Sequence, residues 1–323
     1  MVAVKLADLE LNLKQFNPVW PVLTGHTQTL LAHFLPSKTA RRNWSNEIIK
    51  LPDGDELFIQ FIDQKSTISL SLFHGLSGDS QSDYMCRTAE IGFSNGWNVI
   101  LVNLRGAHPM ARAEKTYHSG RGEDASEVIK WGRSKFENSK QVVVGFSVSG
   151  SILLNLLTGR MGDCLPDFAV VVNTPLRLEE AARRLSRGFL KIYDFRFYFK
   201  LRRTVKSKRN ISLPCFGTLY SFDNLYTSVS NGYKNAIDYY ENCSVFNYVG
   251  QTKIRTFVLS SMDDPMVNSQ DYISAKWNEN THVTLLKYGG HMGYYSRDKD
   301  SKYGRRWLDH YLESVFNQIK TMI

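Results

Sequence analysis

A chain of 323 residues with 42% hydrophobic and 22% charged side chains carries enough apolar surface for a sizeable core, which excludes a disordered or fibrous protein. Its length suits one large core carrying an insertion. The formal net charge of +9 is localised, because residues 176–210 hold twelve Lys and Arg against Glu179, Glu180 and Asp194, an excess equal to that of the whole chain.

In chain order, residues 1–16 place Lys5, Asp8, Glu10 and Lys14 among apolar side chains, which interrupts the apolar stretch a signal peptide needs. No run of about 18 apolar residues occurs, so no segment is expected to span a bilayer. Short apolar, β-branched runs follow at residues 57–62, 68–73, 98–102, 141–146, 168–172, 254–260 and 283–286, each bounded by Gly, Asp, Asn or Ser as buried strands are. Residues 84–93, 123–136, 149–157 and 270–277 have helical spacing. Strand alternating with helix predicts an α/β fold with a mostly parallel sheet covered on both faces. Pro52-Asp53-Gly54-Asp55 is a turn of hairpin length, so the sheet is expected to begin with antiparallel strands. The interval between the strands at 168 and 254 is too long for a plain connection and is read as a helical cap. The expected organisation is a core built from residues 1–175 and 251–323, interrupted by a cap over 176–250. Cys86, Cys164, Cys215 and Cys243 are far apart with no CxxC pair, which points to neither zinc nor disulfides and fits a reducing, cytoplasmic compartment.

Four segments carry chemistry. Residues 141–150 run Gln-Val-Val-Val-Gly-Phe-Ser-Val-Ser-Gly, a strand and a tight turn leading into a helix, with Ser147 at the turn. This is the context of a nucleophile elbow, where a strained backbone lifts the hydroxyl clear of the sheet and small neighbours let strand and helix approach. Gly145 meets that need, whereas Ser149 stands where Gly is usual. Taking Ser149 as nucleophile would move Gly145 out of place, so Ser147 is preferred.

The loop Phe73-His74-Gly75-Leu76-Ser77-Gly78 follows a predicted strand. Its backbone is suited to point the Leu76 N–H at a substrate carbonyl, forming an oxyanion hole with the Val148 N–H. His74 and Gly75, with Phe146 from the elbow, are expected to touch substrate. His74 is read as holding the loop by hydrogen bonds rather than as a base. Residues 257–267 form a buried strand ending in Asp263-Asp264-Pro265, and carboxylates there lie at the active edge of such a sheet. Asp264 is the preferred orienting acid and Asp263 the alternative. Finally, Gly289-Gly290-His291-Met292-Gly293 follows the last predicted strand and gives His291 a backbone free to place its imidazole beside a serine. Ser147, Asp264 and His291 thus stand in the nucleophile, acid, base order of α/β-hydrolases. In these roles His291 takes the Ser147 proton, Asp264 fixes the imidazole and two amides hold the oxyanion.

The chain also resembles one branch of that superfamily: the family of bacterial YheT-type esterases, yeast medium-chain fatty acid ethyl ester synthase/esterases and animal ABHD-type phospholipases. The resemblance covers most of the chain. It runs through Asn17-Pro18-Val19-Trp20, Gly25-His26-Thr27-Gln28-Thr29, His74-Gly75-Leu76-Ser77-Gly78, Asn103-Leu104-Arg105-Gly106, Thr116-Tyr117-His118-Ser119-Gly120 with Glu123-Asp124, and, in the cap, Phe222-Asp223, Gly232-Tyr233-Lys234-Asn235-Ala236, Asp238-Tyr239-Tyr240 and Ser244. The family's Gly-Phe-Ser-Leu-Gly-Gly elbow is altered here to Gly145-Phe146-Ser147-Val148-Ser149-Gly150, and Ser77 stands where the family often has Glu. The resemblance implies an α/β-hydrolase fold and, as substrates, carboxylic esters of short- to medium-chain fatty acids, including lipids. The triad needs no metal or organic cofactor, and nothing in the sequence specifies an oligomeric state.

In the basic segment Leu185, Phe189, Ile192, Phe195 and Phe199 are spaced as one apolar helical stripe beside a cationic face. Two readings follow: the stripe packs over the acyl pocket with its charges in water, or the helix lies on an anionic membrane surface. The first is preferred. No recognition motif for nucleic acid accompanies the charge. Three functions therefore stand: an esterase, an acyltransferase from esters or thioesters to alcohols, and a non-catalytic lipid-binding protein that kept the fold.

Overall fold

Successive residues of a strand point to opposite faces, so a strand buried along its whole length must be covered on both sides. The central strands β3 (Ile68–Phe73), β4 (Asn98–Asn103) and β5 (Lys140–Phe146) are of this kind, with every residue but Lys140 buried. In β5, Val143 joins one core cluster while Val142 and Val144 join another. The two clusters lie on the two faces of a single sheet. The structure is a computed structural model and describes residues 11–19, 24–35, 42–209 and 213–323. Residues 1–10, Trp20 and Asn210, named above, lie outside the described residues, as do the side chains of Lys208 and Arg209.

With β1 (Ser45–Lys50), β2 (Glu56–Ile62), β6 (Phe168–Val172), β7 (Arg255–Ser261) and β8 (Thr281–Leu286), the sheet has, among the described residues, eight strands in the order β1-β2-β4-β3-β5-β6-β7-β8. β2 runs antiparallel to both β1 and β4, and all other neighbours pair in parallel. This is the mixed sheet of an α/β-hydrolase fold, with antiparallel strands first. The predicted strands and helices agree with it to within two residues, with one exception. The helix expected over 270–277, α10 (Ser269–Ser274), ends at Ser274, because Ala275 turns extended (ψ 141°) and Trp277 folds back to donate its Nε1–H to the Tyr272 carbonyl at 2.9 Å.

Helices flank the sheet on both faces. α3 (Gly122–Lys135) and α4 (Val148–Leu157) cover one face, and α2 (Asp83–Ser94) with α11 (Trp307–Met322) covers the other. Each buried Val or Leu in these layers contributes roughly 1.5–3 kcal/mol through the apolar surface it removes from water. A short helix, α1 (Gly25–Phe34), and a hairpin of β9 (Tyr295–Asp300) with β10 (Gly304–Arg306) pack beside the loop that follows β8.

The interval between β6 and β7 holds cap-like helices: α5 (Leu178–Leu185), α6 (Lys191–Arg209), α7 (Leu219–Phe222), a π-helical turn (Asp223–Thr227), α8 (Ser228–Ser230) and α9 (Ala236–Cys243). The expected apolar stripe is corrected here. α5 ends at Leu185, and Gly188 at φ +51° starts a 3-10 turn before α6 begins, so the stripe residues do not share one helix. Leu185 is buried in the core, whereas Phe189, Ile192, Phe195 and Phe199 are 46–59% exposed. The buried face of α6 is formed instead by Tyr193, Tyr198 and Val205, with Phe197 and Leu201 half-buried. A spacing of 4, 3, 3 and 4 marks a helical face, but does not say which way the face turns. Among the described residues no helix is long and apolar enough to cross a membrane.

Candidate active site

β5 and α4 are joined by the single residue Ser147, which sits at φ 54°, ψ −119°. A non-glycine residue held there is strained, and it persists only where the surroundings over-determine it. Its N–H donates to the Val172 carbonyl at 2.8 Å and its carbonyl accepts from the Gly150 N–H at 2.9 Å. A Cβ at Gly145 would lie 2.7 Å from Leu153 Cδ1 and 2.8 Å from the Ser149 carbonyl oxygen, and one at Gly150 would lie 1.7 Å from Thr174 Oγ1. The turn therefore needs glycine at 145 and 150. Position 149 has room for a side chain, and the Ser149 hydroxyl donates to the His74 carbonyl, tying the turn to the neighbouring loop.

The loops after β7 and β8 bring the other two predicted residues to this serine. His291 Nε2 is 3.0 Å from Ser147 Oγ, and His291 Nδ1 is 2.9 Å from Asp264 Oδ2. Asp264 is buried, and its second oxygen accepts the Met266 and Val267 amides at 2.8 and 3.0 Å. Asp263, the alternative acid, turns elsewhere: its Oδ1 accepts the Gly290 N–H at 2.9 Å, and burial pushes its carboxyl up. Sequence reasoning missed Asn173, which links the two loops. At φ 48° and fully buried, it donates Nδ2–H to Asp264 Oδ2 at 2.8 Å and to the Gly290 carbonyl at 3.2 Å. Its Oδ1 accepts from the Met292 N–H at 3.2 Å and the Tyr294 hydroxyl at 3.0 Å. The available signal was a polar residue directly after a buried strand, at the edge where ligands bind.

The loop after β3 passes close over Ser147, and a Cβ on Gly75 would come within 3.3 Å of Ser147 Cβ. Two tyrosines that sequence reasoning did not single out hold this loop: Tyr84 accepts the Gly75 N–H and Tyr117 the Ser77 N–H, each at 2.8 Å. Burial raises both phenols, Tyr84 to about 12, so they remain neutral hydroxyls at physiological pH. Leu76 and Val148 line the same cavity as Ser147 and His291, and among the described residues neither amide has a hydrogen-bond partner. The expected substrate contacts of His74 and Phe146 are corrected, since both are buried beneath the cavity lining. Burial lowers the His74 imidazole to about 4. Its neutral ring donates from Nδ1 to the Gly75 carbonyl (2.8 Å) and accepts the Leu104 N–H at Nε2 (3.1 Å), so it shapes the loop. Phe146 packs its ring on Tyr84, with centroids 4.8 Å apart.

Two cavities meet at the serine. One, of about 540 Å³, lies under the cap and is lined by Leu178, Leu185, Phe197, Leu201, Val205 and Met266 among others. The second, of about 300 Å³, extends past Gly75 toward Thr29, Leu30, Tyr84 and Tyr193. Among the described residues no group of three or more His, Cys, Asp or Glu is placed to hold a metal ion.

No family model matches the chain. Among curated proteins, it is 27% identical over 299 residues to the YheT protein of Escherichia coli, covering 87% of each chain. It is also 27% identical over 295 residues to human phospholipase ABHD3, covering 84% of this chain and 71% of that protein. Among solved structures, an esterase of Pyrococcus furiosus superposes with a TM-score of 0.59 over 96% of this chain and 99% of its own, at 17% identity. Mouse alpha/beta hydrolase domain-containing protein 10 superposes with a TM-score of 0.53 over 86% of this chain and 100% of its own, at 13% identity. The chain is similar over most of its length to the YheT/ABHD3-like esterases, and its fold is that of the α/β-hydrolases.

The motifs that carry the family resemblance brace the site from outside. Gly25, where a Cβ would lie 1.7 Å from the Asp263 carbonyl oxygen, starts α1 directly against the acid loop. Thr29 Oγ1 then accepts the His291 N–H at 2.9 Å, and Gln28 pairs with both backbone groups of Tyr295. Arg105 is buried with three carboxylates, contacting Asp53 and Asp55 at 2.7 Å and Asp124 in bidentate fashion at 2.6 and 2.9 Å. Although burial raises them, the hydrogen bonds these acids accept and the Arg105 charge bring Asp53 to about 2 and lower Asp55. The Arg105 cluster thus staples the hairpin turn to the start of α3 beneath the cavity.

Proposed function

We propose that this protein is a serine hydrolase of carboxylic esters that works through an acyl-enzyme on Ser147. The reading rests on the continuous relay from Asp264 through His291 to Ser147, with both hydrogen bonds at 2.9–3.0 Å. As Ser147 Oγ attacks the ester carbonyl, His291 Nε2 takes its proton, and Asp264 holds the Nδ1–H tautomer and favours the imidazolium. The carbonyl oxygen becomes an oxyanion facing the amides of Leu76 and Val148. Collapse expels the alcohol, which leaves with the proton from His291. Water, deprotonated by the same imidazole, then releases the acid and restores the serine.

The apolar cavity under the cap suits a short- to medium-chain acyl group, and the smaller one suits the alcohol half. Relatives named phospholipase (human ABHD3) and monoacylglycerol lipase (Saccharomyces cerevisiae) support acyl esters of the lipid type. Labelling with a fluorophosphonate probe should modify the wild-type protein and leave Ser147→Ala unmodified; labelling that survives the substitution discards the nucleophile. Because a second cavity also opens on Ser147, transfer of the acyl group to an alcohol is the second reading. Incubation with an added alcohol distinguishes them, since a transferase yields a new ester where a hydrolase yields free acid. The third reading, a silent lipid binder, predicts no covalent labelling at all.

A further inference from the structure

Helix α6 presents two different surfaces. Inward, Phe197, Leu201 and Val205 roof the larger cavity. Outward, Ile192, Phe195 and Phe199 stand 46–59% exposed on successive turns, in the company of exposed Lys191 and Lys206, while the exposed Arg196, Lys200 and Arg203 flank this face at the rim of the two cavities. The rings are organised rather than scattered. Phe199 and Phe216 stack on either side of Phe195, at centroid distances of 6.3 and 6.1 Å and interplanar angles near 24°, and Phe216 is itself 77% exposed. A ladder of three exposed rings is more apolar surface than a soluble face ordinarily leaves in water.

The charge around the ladder is one-sided. The only acid on α6 is Asp194, and it is buried, accepting the Ser186 hydroxyl and the Leu219 N–H. Among the described residues Lys191, Lys200, Arg203 and Lys206 form no ion pair. Partial desolvation, and to a lesser degree the nearby Arg196, hold the Lys200 ammonium below its ordinary value against the opposing pull of Asp79. Aromatic rings interleaved with long basic side chains fit the boundary of an anionic bilayer, where rings enter the acyl region and ammonium and guanidinium groups remain at the phosphates.

We infer that the outer face of α6, with Phe216, docks the protein on an anionic lipid surface and so sets the roof of the cavity against the membrane. This adds a binding surface to the ester chemistry and does not depend on it. The face carries no acid to match a basic protein partner, and its excess of positive charge opposes pairing with a second copy.

The test is co-sedimentation of the full chain with vesicles of phosphatidylcholine alone or mixed with phosphatidylserine. Binding is expected to the mixed vesicles, to weaken as salt rises, and to be the same for Ser147→Ala, which separates it from the catalytic reading. The variant Phe195→Ser/Phe199→Ser/Phe216→Ser should bind at least about tenfold more weakly, and Lys191→Gln/Lys206→Gln roughly tenfold more weakly. Both should keep wild-type thermal unfolding and wild-type hydrolysis of a dissolved short-chain ester. Absence of binding to phosphatidylserine vesicles, or binding that the triple serine variant leaves intact, overturns the inference. So does a concentration-dependent dimer that the same variant dissolves, which would mean that a second copy covers the face.

Discussion

The rim of the sheet and the cap above it are built to different standards. At the rim every proposed reacting group is over-determined. Asp264 has four hydrogen-bond partners, Asn173 joins the acid loop to the histidine loop, and the loop after β3 hangs from two tyrosine hydroxyls. In the cap, the clusters that belong to it alone are small, one centred on Leu178 and Tyr239 and another on Tyr198 and Phe222, and much aromatic surface faces water. The difference teaches a division of labour. The rim fixes directions to within hydrogen-bond tolerance, whereas the cap supplies shape and surface and tolerates repacking.

The sharpest way to break that comparison is to remove a reacting group and ask whether the rim still folds. Ser147→Ala and His291→Ala should each lower kcat by roughly 10⁶-fold, and the double variant by no more, since the two act as one unit. Thermal unfolding should stay near wild type, because neither side chain carries the core. Next in size is Asp264→Asn, expected to cost about 10⁴-fold in kcat through the wrong imidazole tautomer. Asp263→Asn, which loosens one hydrogen bond to Gly290, should cost only about fivefold. Equal losses at the two aspartates would refute the assignment of Asp264 as the orienting acid.

Asn173→Ala sharpens the comparison differently, for the residue touches no reacting atom. It should lower kcat by about a hundredfold with little change in KM, by letting the acid and histidine loops drift apart by a fraction of an ångström. A steady-state comparison of kcat and KM decides it. A rise in KM at constant kcat would mean that Asn173 serves substrate binding instead of alignment.

The same division explains what the sequence made legible. The strands, the elbow at Ser147 and the loops of Asp264 and His291 were readable because each rests on local chemistry, an apolar run closed by residues with special backbone needs. The orientation of α6 was not readable. Both of its faces carry aromatic residues at helical spacing, and the choice between them was made by distant partners such as the Leu219 amide, which donates to the buried Asp194 carboxylate of the helix. His74 and Phe146 were placed in the right segments and given the wrong neighbours, because burial depends on the layer above, which residue spacing does not encode. Ser149 is a departure from the usual elbow that the fold tolerates, because the tight spot lies one residue further on, where a Cβ at position 150 would meet Thr174 Oγ1 at 1.7 Å.

The smallest expected effect concerns Asp223, where the cap is tuned by charge. It lies in the π-helical turn at the cavity wall, with Thr227 Oγ1 donating to one carboxylate oxygen at 2.7 Å and Tyr240 OH to the other at 2.8 Å. Burial nevertheless pushes its pKa up to about 6. A carboxyl whose folded pKa is raised binds more protons in the native state, so its contribution to stability falls as pH rises from about 4 to about 6 and is flat above. Asp223→Asn removes this penalty without stranding a partner, because both hydroxyls can accept as well as donate. The variant should be more stable than wild type by about 3 kcal/mol at pH 7, and the advantage should vanish near pH 4. Urea unfolding of both proteins across that range measures the difference directly. A difference that does not change with pH would mean that the buried carboxyl titrates normally, leaving the cap as indifferent to charge as it is to packing.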